Sequence, residues 1–119
     1  MTTSEIATVL AWHEALTTAD LDTLVALSSD DIEVGDAHGA GQGHQALRQW
    51  ATAAGITGGL GRMYVHDGIV VVELQPDDPA GGTGAVFRVV HDHVTAVFRH
   101  DDLAAALAAT ELTEADRVD

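Results

Sequence analysis

Asp67-Gly68 stands between two alternating apolar runs, and no other feature of the chain restricts its fold as tightly. Both residues accept positive φ, so the pair favours a two-residue hairpin turn whose twist matches the flanking strands. Residues 63–66 and 69–75 then form antiparallel strands. The turn sets their register: His66 faces Ile69, Tyr64 faces Val71, and Arg62 faces Glu73. One side of the ribbon becomes Met63, Val65, Val70, Val72 and Leu74, all apolar, and is the expected core face. On the other side Arg62 and Glu73 form a cross-strand ion pair worth about 0.2–1 kcal/mol.

A second hairpin follows an exposed loop at 76–84, which holds two prolines and three glycines. Residues 85–91 and 94–100 are its strands, turning at Asp92-His93. A two-residue turn there pairs Phe87 with Phe98 and Val89 with Ala96, and sends Arg88 and Arg99 to the opposite side. A bulge at the turn would exchange the two faces. The first half of the chain reads as helix. Thr2-x-x-Glu5 has capping-box spacing, and Ile6, Val9, Leu10, His13 and Leu16 recur at helical intervals with Trp12 beside them. Asp20 caps a shorter helix carrying Leu21, Leu24, Val25 and Leu27. Residues 32–34 read as a short strand and 35–43, with four glycines, as a loop. A third helix is expected over 44–54, then a flexible connection at 55–61. Asp101 or Asp102 caps a final helix over 103–109, and 110–119 reads as a frayed, flexible tail.

Composition removes several function classes. At 119 residues the chain is expected to be one domain, 1–119, burying roughly two-thirds of its unfolded surface. Without cysteine it can make neither disulfides nor thiolates. Nineteen acids against five arginines leave a net charge of −14, which repels nucleic acid and anionic membranes. No apolar run approaches the ~20 residues of a bilayer span, and the polar start is not a secretory signal, so a cytoplasmic location is the default. No cofactor and no metal is expected. Gly39-Ala40-Gly41-Gln42-Gly43 lacks the lysine of a phosphate loop, and His91-x-His93 sits in a turn with no third ligand at a fixed spacing.

Three stretches carry a family likeness. Residues 24–36, LVALSSDDIEVGD, residues 43–50, GHQALRQW, and residues 97–103, VFRHDDL, follow one another in the order of helices, short strand and two hairpins. In this the chain resembles the nuclear transport factor 2-like superfamily, which includes SnoaL-like and ketosteroid isomerase-like proteins. The resemblance implies a cone-shaped α+β fold with three N-terminal helices packed on a curved antiparallel sheet, and a pocket between them. It also implies a homodimer through the other sheet face, with Arg62, Tyr64, Val71, Glu73, Arg88 and Arg99 at the interface.

Within that family, DDIEVGD is similar to the stretch of ketosteroid isomerases that ends in their catalytic aspartate, and Asp36 falls on that residue. A carboxylate on a partly dry pocket wall has its pKa raised, which suits proton abstraction; a turn aspartate bonding its own backbone is the plainer alternative. The rest of the isomerase apparatus is missing, since Trp12 stands where a tyrosine is needed and Val86 near the position of the second acid. His13, in the first helix's apolar stripe, and His100, on the expected Phe87–Phe98 face, are candidate proton shuttles beside Asp36. Trp12, Trp50, Phe87 and Phe98 are the expected pocket lining. The implied function is that of a small-molecule pocket protein, an isomerase, dehydratase or hydrolase acting on an apolar or carbonyl-containing compound with Asp36 as base. The alternatives are a non-catalytic dimeric binding or interaction module, or a scaffold whose hollow is filled where Trp12 and Trp50 meet.

Overall fold

At the Asp67-Gly68 turn φ is 48° and then 80°, the left-handed pair that a right-twisted hairpin requires. The computed structural model describes residues 2–18, 20–36, 39–54, 60–74, 83–100 and 102–117. Strands β3 (Leu60–His66) and β4 (Ile69–Leu74) pair in the expected register from His66–Ile69 through Tyr64–Val71 to Met63–Val72, after which the register shifts and Leu60 pairs with Leu74. Met63, Val65, Val70 and Val72 lie in the main core. Arg62 Nε is 3.4 Å from Glu73 Oε1, the expected cross-strand pair.

Helix α1 (Thr2–Thr17) and the short α2 (Leu21–Ala26) precede the first strand, and α3 (His44–Ala54) comes later. Asp20 caps α2, accepting from the Thr23 amide at 3.3 Å and the Thr23 hydroxyl at 2.7 Å. Val9, Trp12 and Leu16 from α1, Leu24 from α2 and Leu47 from α3 close over one sheet face as a single cluster.

Strand β1 (Ser28–Asp36) is longer than the expected 32–34, and the glycine-rich stretch after it is not a loop. Residues 39–42 form β2, which turns back on β1 and pairs Val34 with Gly41 and Asp36 with Gly39. Glycine permits this because the backbones and neighbours come too close for side chains. A Cβ on Gly35 would lie 2.9 Å from the Gly39 carbonyl oxygen and 3.0 Å from the Phe98 ring.

β5 (Thr83–Val90) and β6 (His93–His100) complete one sheet in the order β2-β1-β6-β5-β4-β3. β1 runs parallel to β6, so the sheet is mixed and not wholly antiparallel. The second hairpin also departs from expectation. Its turn is His91-Asp92, both at positive φ (51° and 63°), one residue earlier than Asp92-His93. Thr95 is then the extra residue of a bulge, its hydroxyl donating to the Arg88 carbonyl at 3.3 Å. Past the bulge Phe87 pairs with Val97, Val86 with Phe98, Arg88 with Ala96, and Gly84 with His100. Phe98 and His100 therefore alternate away from Phe87, and Arg99 pairs with Ala85 on the helix-side row.

The opposite sheet face is half covered by the chain itself. Helix α4 (Leu103–Thr110) is capped by Asp102, whose carboxylate accepts from the Ala105 amide at 2.7 Å. It packs Ala106, with Leu103 and Leu107, over Tyr64 and Val71. Both of those residues are 0% exposed, so two of the positions assigned to a subunit interface are covered within the chain. Beyond the helix, where a frayed tail is expected, Leu112 is buried in the same cluster, Asp116 lies 3.5 Å from His66 Nδ1, and Arg117 bridges Tyr64.

Candidate ligand site between helices and sheet

The helix side of the sheet is packed around Trp12. Its indole is fully buried, lies 5.3 Å edge-on to the Phe87 ring and 6.0 Å from the half-buried Trp50 ring. The indole N–H donates to Ser28 Oγ at 2.9 Å, and the Ser28 hydroxyl in turn donates to the Leu24 carbonyl at 2.7 Å. This chain ties α1 to the first residue of β1 and to α2. It also commits the only hydrogen of the indole, so Trp12 has no donor left to offer a ligand where a tyrosine would have its phenol.

His13 follows Trp12 on α1 and is 9% exposed. Its Nε2 is buried and has no hydrogen-bond partner among the described residues. Burial pushes the imidazole below its ordinary pKa of 6.5, because the cation loses its hydration. A neutral ring follows at pH 7. An unpaired buried polar atom costs about 1–3 kcal/mol, which a chain tolerates for a reason such as a bound group or a chemical task.

The four aromatic positions do not share a face. Trp12, Trp50 and Phe87 meet on the helix side, whereas Phe98 lies over Gly35 on the other side. His100 goes with Phe98, so the bulge at Thr95 removes it from the helix side. Asp36 ends β1 opposite Gly39; its side chain, like all of His38, lies outside the described residues. His93 is the exposed first residue of β6, with Nδ1 2.9 Å from the His91 carbonyl.

A hollow of about 900 Å³, open to solvent, occupies the other sheet face beside α4. Ile69, Val86, Ala96 and Phe98 contribute to its floor, Ala105 and Ala109 line it from the helix, and Asp31, Glu33, Arg88 and His100 add charge. Sequence reasoning did not assemble this group. The signal that could have done so is the bulge, since only the shifted register puts Phe98, Ala96 and Arg88 on one face.

No protein-family model matches the chain, and no curated protein matches it. Solved structures do. A nuclear transport factor 2-like protein from Burkholderia xenovorans superposes with a TM-score of 0.66 at 19% identity, covering 91% of this chain and 96% of that one. An LEH-like epoxide hydrolase from M. tuberculosis gives 0.68 at 20% identity, covering 92% and 96%. A candidate polyketide cyclase from Sinorhizobium meliloti gives 0.64 at 19%, covering 78% and 93%. The chain thus has the nuclear transport factor 2-like fold that its motifs suggested.

Proposed function

We propose that the chain is a small-molecule pocket protein of the SnoaL-like kind, working from the helix side of the sheet on a small apolar or carbonyl-containing compound. The observation that carries this reading is the buried, unpartnered Nε2 of His13 on α1, next to the buried Trp12. A neutral imidazole in such a place can give or take a proton at a ligand oxygen without first shedding a hydration shell. Asp36, at the end of β1, is the proposed base, and His13 the group that binds or relays the proton. The reaction classes that fit a base with one imidazole partner are isomerisation, dehydration and hydrolysis. Fold neighbours described as an epoxide hydrolase and a candidate polyketide cyclase support the general class without naming a substrate.

A second reading rests on a different observation. The contact of Trp12 with both Trp50 and Phe87 suits a scaffold whose helix side is filled by these rings. Native mass spectrometry and thermal shift against small hydrophobic carbonyl compounds, alcohols and epoxides separate the two. The proposal expects a retained compound and a raised melting temperature, lost in His13→Leu. In Asp36→Asn it expects binding kept and turnover lost. Binding that survives both substitutions with no turnover supports a non-catalytic module. No binding to the wild type, even in Trp50→Ala where the half-buried indole is removed, rejects the pocket altogether.

A further inference from the structure

The open strip of β1, β6 and β5 carries charge and apolar surface in a fixed order. Glu33 pairs with Ala96, and Ala96 pairs with Arg88, so these three residues form one row across the sheet. Strands are spaced about 4.8 Å apart, which sets the Glu33 and Arg88 backbones roughly 10 Å from one another with only a methyl group between them. Both side chains are exposed and line the hollow beside α4, and neither has an ion-pair partner among the described residues. The next row holds half-buried Phe98 and Val86, an apolar floor faced by the small Ala105 and Ala109 of α4. Thr95 and Thr110 also line the groove, but their hydroxyls donate to the Arg88 carbonyl at 3.3 Å and the Ala106 carbonyl at 3.0 Å. Recognition of a ligand therefore falls to the charged side chains and His100.

We propose that this groove binds a small amphipathic zwitterion, a flat apolar group that carries an ammonium and a carboxylate on one carbon, as an aromatic α-amino acid does. The carboxylate meets Arg88, whose planar guanidinium offers it two parallel N–H donors. The ammonium meets Glu33, with Asp31 on the same strand adding to the negative end. Ala96 leaves room between the two long side chains for the charged head, and the ring lies along Phe98 and Val86, where an aromatic pair is favoured. His100 and Arg99 lie further along β6, beyond that ring. Single charges fit less well. A lone carboxylate meets Asp31 and Glu33 as well as Arg88, on a chain of net charge −14. A lone ammonium sits beside an uncompensated Arg88. The hollow of about 900 Å³ falls in the roughly 300–1,000 Å³ range of ligand clefts. This site lies across the sheet from His13 and does not depend on the helix-side reading, so either can fail alone.

Three related compounds test both charges at once. L-Tryptophan carries the full head group, tryptamine lacks the carboxylate and indole-3-propionate lacks the ammonium. Calorimetric titration of the wild type should show saturable binding of L-tryptophan, weakened by roughly tenfold or more for each of the other two. Arg88→Gln should weaken L-tryptophan but not tryptamine, and Glu33→Gln should weaken L-tryptophan but not indole-3-propionate. A general loss of structure would not sort the compounds in this way. Cooperative melting checks that each variant folds, and the compound series on the wild type decides by itself if one does not. In the proton–nitrogen NMR spectrum the amides of Ala96, Phe98 and Ala105 should move on titration, while those around His13 stay. No saturable binding, equal affinity for the three compounds, or shifts centred on His13 would each overturn the proposal. So would sedimentation as a dimer that protects the Ala96 and Phe98 amides and takes up no L-tryptophan, which gives the strip to a second copy of the chain.

Discussion

His13 ties stability to pH, because its ring nitrogen is buried without a hydrogen-bond partner among the described residues. The folded state holds the imidazole below its ordinary 6.5, so the unfolded chain takes up a proton first as pH falls. Unfolding then gains protons, and stability is lost progressively below about pH 6.5. The melting temperature should drop between pH 7 and pH 5.5, and His13→Leu should remove part of that slope. The same substitution should raise stability at neutral pH by about 1 kcal/mol, since it removes a buried, unsatisfied polar atom. A stabilised variant without ligand binding is the signature of a residue kept for function. Trp12 behaves in the opposite way. Trp12→Phe keeps an aromatic ring but leaves the buried Ser28 Oγ without the indole donor, and should cost about 1–3 kcal/mol in chemical denaturation.

Among the elements, the two hairpins differ in how much of them could be read from residues alone. Asp67-Gly68 allows one turn, so the β3–β4 register followed directly as far as Met63–Val72; the Arg62–Glu73 ion pair forms even though the register shifts between Leu60 and Met63. His91-Asp92 carries no glycine, and its two left-handed residues are visible only once the chain is folded. The bulge at Thr95 then reverses the alternation, which is why Phe98 and His100 were expected on the helix side and are not there. Glycine-rich β2 was hidden for a related reason. Glycine usually marks a loop, whereas here it admits backbone contacts that a Cβ would block. Gly35→Ala should therefore destabilise by about 1–3 kcal/mol, measured by urea unfolding, through collision with Gly39, Ala40 and the Phe98 ring. Gly84 has the same role under α4, where a Cβ would stand 2.8 Å from Ala106 Cβ. By contrast the α4 cap was nearly legible, and Asp102→Ala should cost about 0.5–2 kcal/mol by losing its bond to the Ala105 amide.

Across the whole molecule the sheet divides two tasks. Its helix side carries the main core, and its other side is shared between α4 and an open charged strip. The order of helices and hairpins was enough to suggest the fold, because hydrophobic periodicity survives in a single sequence. What covers the second face was not legible, since Leu112 and Arg117 lie in a short polar stretch with no period of its own. They bind it nonetheless. Leu112→Ala should cost about 2–4 kcal/mol and speed hydrogen exchange at Tyr64 and Val71 before it affects Val70 or Val72. The account as a whole turns on whether the helix side holds a neutral imidazole that a ligand can reach. Nitrogen-15 NMR of the histidine rings, titrated from pH 8 to pH 5 with and without a bound small-molecule hit, measures this at one atom. His13 should titrate below pH 6.5, and its Nε2 resonance should move when the compound binds; a His13 that titrates like a solvent-exposed ring, or an Nε2 that the compound leaves unmoved, would contradict a ligand-accessible neutral imidazole.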